Sequence, residues 1–198
     1  MSSEFYLIFS NLNKKYIAMK KINNYWILGA AAVAGFVLFT ACKSVKVPAG
    51  VEVVKNFKLE SYMGSWYEIA RFDFKHEKNM SHVTANYTLK DDGSVEVVNK
   101  GYDYVKGKWK EAKGKAKFIN TPDQGALKVS FFGPFYSGYN VVAMDPDYEN
   151  VLVFGETTDY IWILSRNKTI PESVKNAFLE KAKSHGYDLN RLVWTKHD

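Results

Sequence analysis

Cysteine is almost missing from this chain: Cys42 is the one residue of its kind in 198. A lone thiol cannot close an internal disulfide, so no disulfide framework holds the fold, and Cys42 is free, paired between chains or chemically modified. Histidine is scarce as well. His76, His82, His185 and His197 include no i, i+4 pair, and no Cys/His cluster has the spacing of a zinc site. No Ser, His and acid group forms a recognisable nucleophile set. The expectation is therefore no enzyme, no catalytic residue, no metal and no cofactor. Uninterrupted basic stretches are also lacking. The net charge is +6, but half of it falls in residues 1–41, and the remainder sets 23 basic against 20 acidic groups. The basic residues alternate with acids and apolar positions, as in KGKWKEAKGKAKF, which describes the solvated face of a sheet and not a nucleic-acid stripe. Nucleic acid is not an expected partner. The longest apolar run, from about Trp26 to Thr40, has about 15 residues, short of the ~20 that a bilayer helix needs.

That run has a different meaning. Met19-Lys20-Lys21 precedes it and small residues end it at Ala41-Cys42, the pattern of a secretory signal. Residues 1–41 are read as the leader, with translation starting at Met19. The segment 42–57 follows as a tether, with Pro48, Gly50 and no helical period. Val51 to Phe57 could pack across the domain as a clasp.

What the chain has in quantity is apolar and aromatic residues, 46% and 16%, ample for one core. From residue 58 to 198 the pattern is all-β. Candidate strands are 66–72, 83–90, 95–102, 108–111, 115–119, 126–132, 139–144, 151–156 and 160–165. Turn residues separate them at Asp91-Asp92-Gly93, Lys113-Gly114, Thr121-Pro122-Asp123, Asp145-Pro146 and Thr157-Thr158-Asp159. One helix is expected at 170–185, with Thr169 and Glu172 as a capping box, Val174, Phe178 and Ala182 on one face, and Gly186 as its stop. RLVWT supplies a short last strand. The architecture this implies is an all-β fold with one flanking helix: an eight-stranded antiparallel up-and-down barrel, a C-terminal helix and a short final strand.

Alternation then assigns faces. Tyr87, Val97, Asn99, Trp109, Phe118, Phe131, Tyr139 and Trp162 are expected inside, an aromatic set with an amide handle. A membrane-spanning barrel would invert this, with apolar residues outward and the lysines crowded into a narrow lumen. Glu68 shares the inward face of Trp66 by parity and, being costly to bury alone, should pair with a neighbouring Tyr.

Three stretches carry a family resemblance. Gly64-Ser65-Trp66 resembles the Gly-x-Trp signature of the first lipocalin strand. YNVVAMDPDYENVLVFGE is similar to the second lipocalin motif around Asp145 and Tyr148, and DYIWILSRNKTIPE to the third, with Arg166. The span from about Phe57 to Trp194 resembles the bacterial outer-membrane lipocalins and apolipoprotein D. Leu38-Phe39-Thr40-Ala41-Cys42 resembles a lipoprotein lipobox, which implies acylation of Cys42 and an anchor in the outer membrane. The resemblance implies that Gly64, Trp66, Asp145, Tyr148 and Arg166 are structural, with Trp66 and Arg166 meeting at the closed end. It implies that Tyr87, Asn99 and Trp162 face a ligand; parity alone adds Trp109, Phe131 and Tyr139. The expected ligands are fatty acids or lysophospholipids, with access at the end opposite Trp66, where Lys75, His76 and Lys78 could meet a phosphate. The anchored barrel is expected on the periplasmic face, and pairing of two barrels through exposed aromatics is left open. A lipid-modifying enzyme and a haem or pigment carrier are the other readings; loop-placed histidines weaken the last.

Overall fold

In the computed structural model, described for residues 44–75 and 77–197, short strands joined by hairpin turns follow one another from Gly64 to Ser165. The leader, Cys42 and His76 lie outside the described residues. The strands are β1 (Gly64–Phe72), β2 (Met80–Leu89), β3 (Val95–Asp103), β4 (Lys108–Phe118), β5 (Ala126–Phe132), β6 (Phe135–Met144), β7 (Asn150–Phe154) and β8 (Ile161–Ser165). Each pairs antiparallel with the next, and β1 pairs with both β2 and β8, so the sheet closes into an eight-stranded up-and-down barrel. Closure leaves no open edge among these eight strands. A short helix, α1 (Leu59–Tyr62), precedes β1. After β8 come the main helix α2 (Glu172–Ser184) and a short strand β9 (Leu192–Trp194), which pairs with the end of β1.

Period-two alternation in the strands produces two separate cores. One lies inside the barrel and includes Trp66, Tyr87, Val95, Val97, Leu127 and Val141. The other lies between the outer wall and α2, where Phe72, Leu152, Phe154 and Ile163 meet Phe178, Ala182 and Tyr187. The Val51–Phe57 clasp is present as well. Val54 donates to the Val141 carbonyl at 2.8 Å and accepts from Gly125 at 2.9 Å, while Phe57 donates to the Asp123 carbonyl at 2.9 Å.

Two local expectations are corrected. Lys113-Gly114 is not a turn: β4 runs unbroken through it, with Gly114 opposite Val97. A side chain at Gly114 would meet the Ser130 carbonyl and the Phe131 ring at 2.8 Å, so the glycine serves close strand approach. The continuity of β4 also sets its parity. Trp109 is odd and Ala116 and Phe118 are even, so they occupy opposite faces. The second correction concerns the capping box. Pro171, not Thr169, is the N-cap of α2, and no side chain caps it. Thr169 lies two residues further out, where its carbonyl accepts the Ser165 hydroxyl at 3.2 Å.

Candidate functional site

One end of the barrel is closed by side chains whose positions follow from strand geometry. Trp66 is the third residue of β1, fully buried, and its indole N–H donates to the Tyr62 carbonyl at 2.9 Å. The Arg166 guanidinium lies 3.8 Å from the Trp66 ring centroid, at the cation–π distance. Its nitrogens donate to the carbonyls of Ser65 and Met63 at 2.8 Å, Ser61 at 3.0 Å and Tyr148 at 3.3 Å. Burial works against this charge and lowers its pKa from the ordinary arginine value, partly offset by Tyr62, Glu149 and Tyr87. Gly64 has φ of +90°, and the Arg166 Nη1 lies 3.5 Å from where a Cβ would stand. Asp145 holds the β6–β7 turn by accepting from the Glu149 and Asn150 amides at 2.7 and 3.1 Å. Tyr148, in the same turn with φ of +59°, accepts at its hydroxyl from the Lys58 amide at 2.8 Å. Gly64, Trp66, Asp145, Tyr148 and Arg166 therefore all sit at or beside the closed end.

Above this floor is a cavity of about 520 Å³. Its walls are mainly apolar, among them Val83, Ala85, Val95, Val97, Ala116 and Leu127. Tyr87, Asn99, Phe131, Tyr139 and Trp162 all line it. Trp109 does not. It is 55% exposed on the outside of the wall, against Tyr102 and His82 and beneath Lys100, because β4 continues without a turn and keeps odd positions outward.

The polar groups in the cavity fall into two stations. Near the floor, the Tyr139 hydroxyl hydrogen-bonds with those of Tyr62 and Tyr87 at 2.6 and 2.9 Å. Burial pushes all three phenols well above their ordinary range, so they are neutral partners. Asn99 Oδ1 is buried there with no protein partner, an acceptor available to a ligand donor.

Nearer the mouth, Glu68 and Arg71 form a fully buried ion pair at 2.7 Å. The expected tyrosine partner for Glu68 is replaced by Arg71 and by the Thr195 hydroxyl, which donates at 2.7 Å. The reason is a β-bulge between Glu68 and Ala70, which brings two residues three apart onto one face. Arg71 also donates to the Glu77 carbonyl at 2.6 Å and stands 3.6 Å from its carboxylate. Desolvation is the largest effect on Arg71 and opposes its charge, but Glu68, Glu77 and Asp73 together outweigh it and raise its proton affinity. Glu77 accepts from the Trp162 indole at 3.3 Å.

Arg71, Glu77, Tyr62 and Phe74 are site residues that strand alternation could not supply. The bulge breaks the alternation at Arg71, and Phe74 and Glu77 lie in the β1–β2 loop, where no period applies. Tyr62 belongs to a one-turn helix too short for a periodic signal. Lys75 and Lys78 are exposed on the same loop and do not line the cavity.

Comparison with known proteins agrees with this geometry. The family model described as a lipocalin-like domain matches residues 57–197. The chain is 50% identical over 169 residues to the outer membrane lipoprotein Blc of Escherichia coli K12, covering 85% of this chain and 95% of that protein. It is 33% identical over 177 residues to mouse apolipoprotein D, covering 83% and 91%. Among solved structures, insecticyanin from the tobacco hornworm Manduca sexta superposes with a TM-score of 0.59. That match has 21% identity and covers 78% of this chain and 88% of that one, a likeness of fold alone.

The mouth carries a pH signature. Burial, then the charge of Glu68, raises the Glu77 carboxyl from 4.5 to about 8, against the lowering effects of Arg71 and the Trp162 hydrogen bond. The unfolded chain ionises first, so stability is full below about 4.5 and falls as pH rises toward 8, where the slope ends. The expected loss is on the order of 3 kcal/mol, reduced by a side chain that is 16% exposed. Urea denaturation at a series of pH values checks this. Glu77→Gln should flatten the slope across that window, and an unchanged slope would remove Glu77 as its source.

Proposed function

The chain belongs to the lipocalin-like family, and from that premise we propose that it binds single amphipathic lipids, fatty acids or lysophospholipids, and stores or carries them at the bacterial outer membrane. The observation that carries this reading is the cavity: about 520 Å³, walled by apolar side chains, sealed by Trp66 and Arg166 at one end and reached from the other. A void of that size is in the range of small-molecule sites, and its lining suits an acyl chain better than a polar solute. The tyrosine hydroxyls at the floor bond one another, which lets the end of an acyl chain lie against them. The mouth is also apolar at its rim, where Phe132 and Phe135 are 84% and 64% exposed at the β5–β6 tip. Such a lip suits transfer of a lipid from a membrane or a partner surface; pairing of two barrels through it is the corresponding homodimer proposal.

The anchor follows from the leader. Residues 1–41 would be removed, Cys42 acylated, and residues 42–57 would tether the barrel to the periplasmic face of the outer membrane. Several buried acyl chains give stable attachment where one gives only marginal binding. Blc, half identical to this chain, is named as an outer membrane lipoprotein, which supports the same placement here.

Two experiments test the proposal. Titration with a long-chain lysophospholipid should give a saturable change in tryptophan fluorescence, since Trp162 lines the cavity. Val129→Trp, which fills part of that cavity, should weaken the binding about tenfold or more. Absence of saturation with any long-chain lipid contradicts the reading. For the anchor, Cys42→Ser should move the protein from the membrane to the soluble fraction; retention in the membrane would refute lipidation at that residue.

A further inference from the structure

The protein as a whole is basic, yet the described residues that line the cavity include Glu68, Glu77 and Glu156 and no Lys, Arg or His. Glu68 is neutralised by Arg71 on the same face of β1. Glu77 and Glu156 are left near the mouth, the Glu77 carboxylate 3.6 Å from the Arg71 Nε and bonded by the Trp162 indole. Among the described residues that line the cavity, an anionic head group drawn in there meets carboxyl groups, and the nearest cation, Arg71, is fully buried and already held by Glu68.

Three aromatic rings lie close to one another beside Glu77. Phe74 lies 5.8 Å from Tyr160 and 6.1 Å from Trp162, edge-on to both, while Tyr160 and Trp162 stand nearly parallel at 6.2 Å. All three line the cavity, and the Trp162 indole N–H points at the Glu77 carboxylate from 3.3 Å. Ring faces carry negative potential, and a set of rings beside a carboxylate is the chemistry that holds quaternary ammonium groups. The stacking of Tyr160 on Trp162 has a plain origin, since they are alternate residues entering β8 and project to the same side.

We infer that the mouth of the barrel is a subsite for an alkylammonium head group, formed by the Glu77 carboxylate with the rings of Phe74, Tyr160 and Trp162. The inference rests on the lipid-binding reading above and specifies which head group that site selects. The acyl chain lies in the hollow below, and the cation is held where the chain meets solvent. A fatty-acid carboxylate is disfavoured by the same groups, so a cationic or zwitterionic amphiphile is the preferred guest.

The protonation of Glu77 fits this role. Its carboxyl is held largely protonated at neutral pH by burial, with Glu68, Asp73 and Arg71 as the charged groups that act on it. An arriving cation favours the carboxylate, and the proton leaves to solvent. Affinity for a permanent cation therefore rises with pH up to about 8.

The test uses four probes with the same dodecyl chain, each below its micelle concentration: dodecyltrimethylammonium, dodecylphosphocholine, dodecanoate and dodecanol. At pH about 8 the trimethylammonium probe should bind about tenfold more tightly than dodecanoate. Glu77→Gln and, separately, Tyr160→Leu should each reduce the ratio of ammonium to dodecanol affinity about tenfold. Tyr160 is 41% exposed, so its replacement keeps the test open should the Glu77 variant fail to fold. Tight binding of dodecylphosphocholine as well supports a zwitterionic lipid as the source of the cation; preference for the trimethylammonium probe alone supports a free cationic amphiphile. Dodecanoate binding as tightly as the ammonium probes, or ratios unmoved by both variants, overturns the subsite while the carrier reading stands. No binding of dodecanol or of any other probe overturns the carrier reading itself.

Discussion

The contact between the Arg166 guanidinium and the Trp66 indole is the constraint on which the rest depends. Four carbonyls from α1, a strand end and the adjoining loops, those of Ser61, Met63, Ser65 and Tyr148, converge on one cation lying 3.8 Å over a fully buried ring. Each of those carbonyls would otherwise need water at the base of the barrel. With them satisfied, α1 and its Tyr62 are drawn across the opening and the barrel acquires a floor. A guanidinium is suited to this because its fork of donors is planar and can serve several acceptors while its face lies on the indole. A lysine at that position would offer neither arrangement.

A hollow interior has an energetic consequence, since wall atoms facing a void lose dispersion partners. The fold offsets this elsewhere. A second core, outside the wall and under α2, packs Phe72, Phe154, Ile163, Phe178 and Tyr187 without involving the cavity. The closed sheet and the outer core thus add stability that does not depend on filling the cavity. The polar groups inside are placed with the same economy. The three tyrosine hydroxyls satisfy one another near the floor, and Glu68 and Arg71 satisfy each other near the mouth. Removing either member of that buried pair would leave an uncompensated charge, a loss of about 3 to 5 kcal/mol.

Most of the barrel was legible from the chain because its strands alternate and its turns carry Asp, Gly, Pro and Thr. Trp66 and Arg166 were legible from motif context, and Tyr87, Asn99, Phe131, Tyr139 and Trp162 from parity, which held wherever a strand was regular. The failures share one physical cause. Parity is counted from a register, and anything that resets the register reverses the assignment. Gly114 looks like a turn residue but permits β5 to approach β4, so Trp109 moved from the inside to the surface. The bulge at Glu68 and Ala70 did the converse for Arg71, bringing it inward as the partner of Glu68. Loop residues such as Phe74 and Glu77 have no period to read, and their place at the mouth is set by the three-dimensional closure of the barrel.

The central claim is directional: a lipid tail lies against the floor and its head group stands at the mouth. Paramagnetic broadening of methyl resonances by a long-chain lipid carrying a nitroxide tests it directly. With the nitroxide at the tail end, the methyls of Leu59, Val95 and Ala116 should broaden first; with it beside the head group, Val83 and Thr157 should broaden instead. Broadening confined to the outer face around Trp109, or the reverse order within the barrel, would contradict the account.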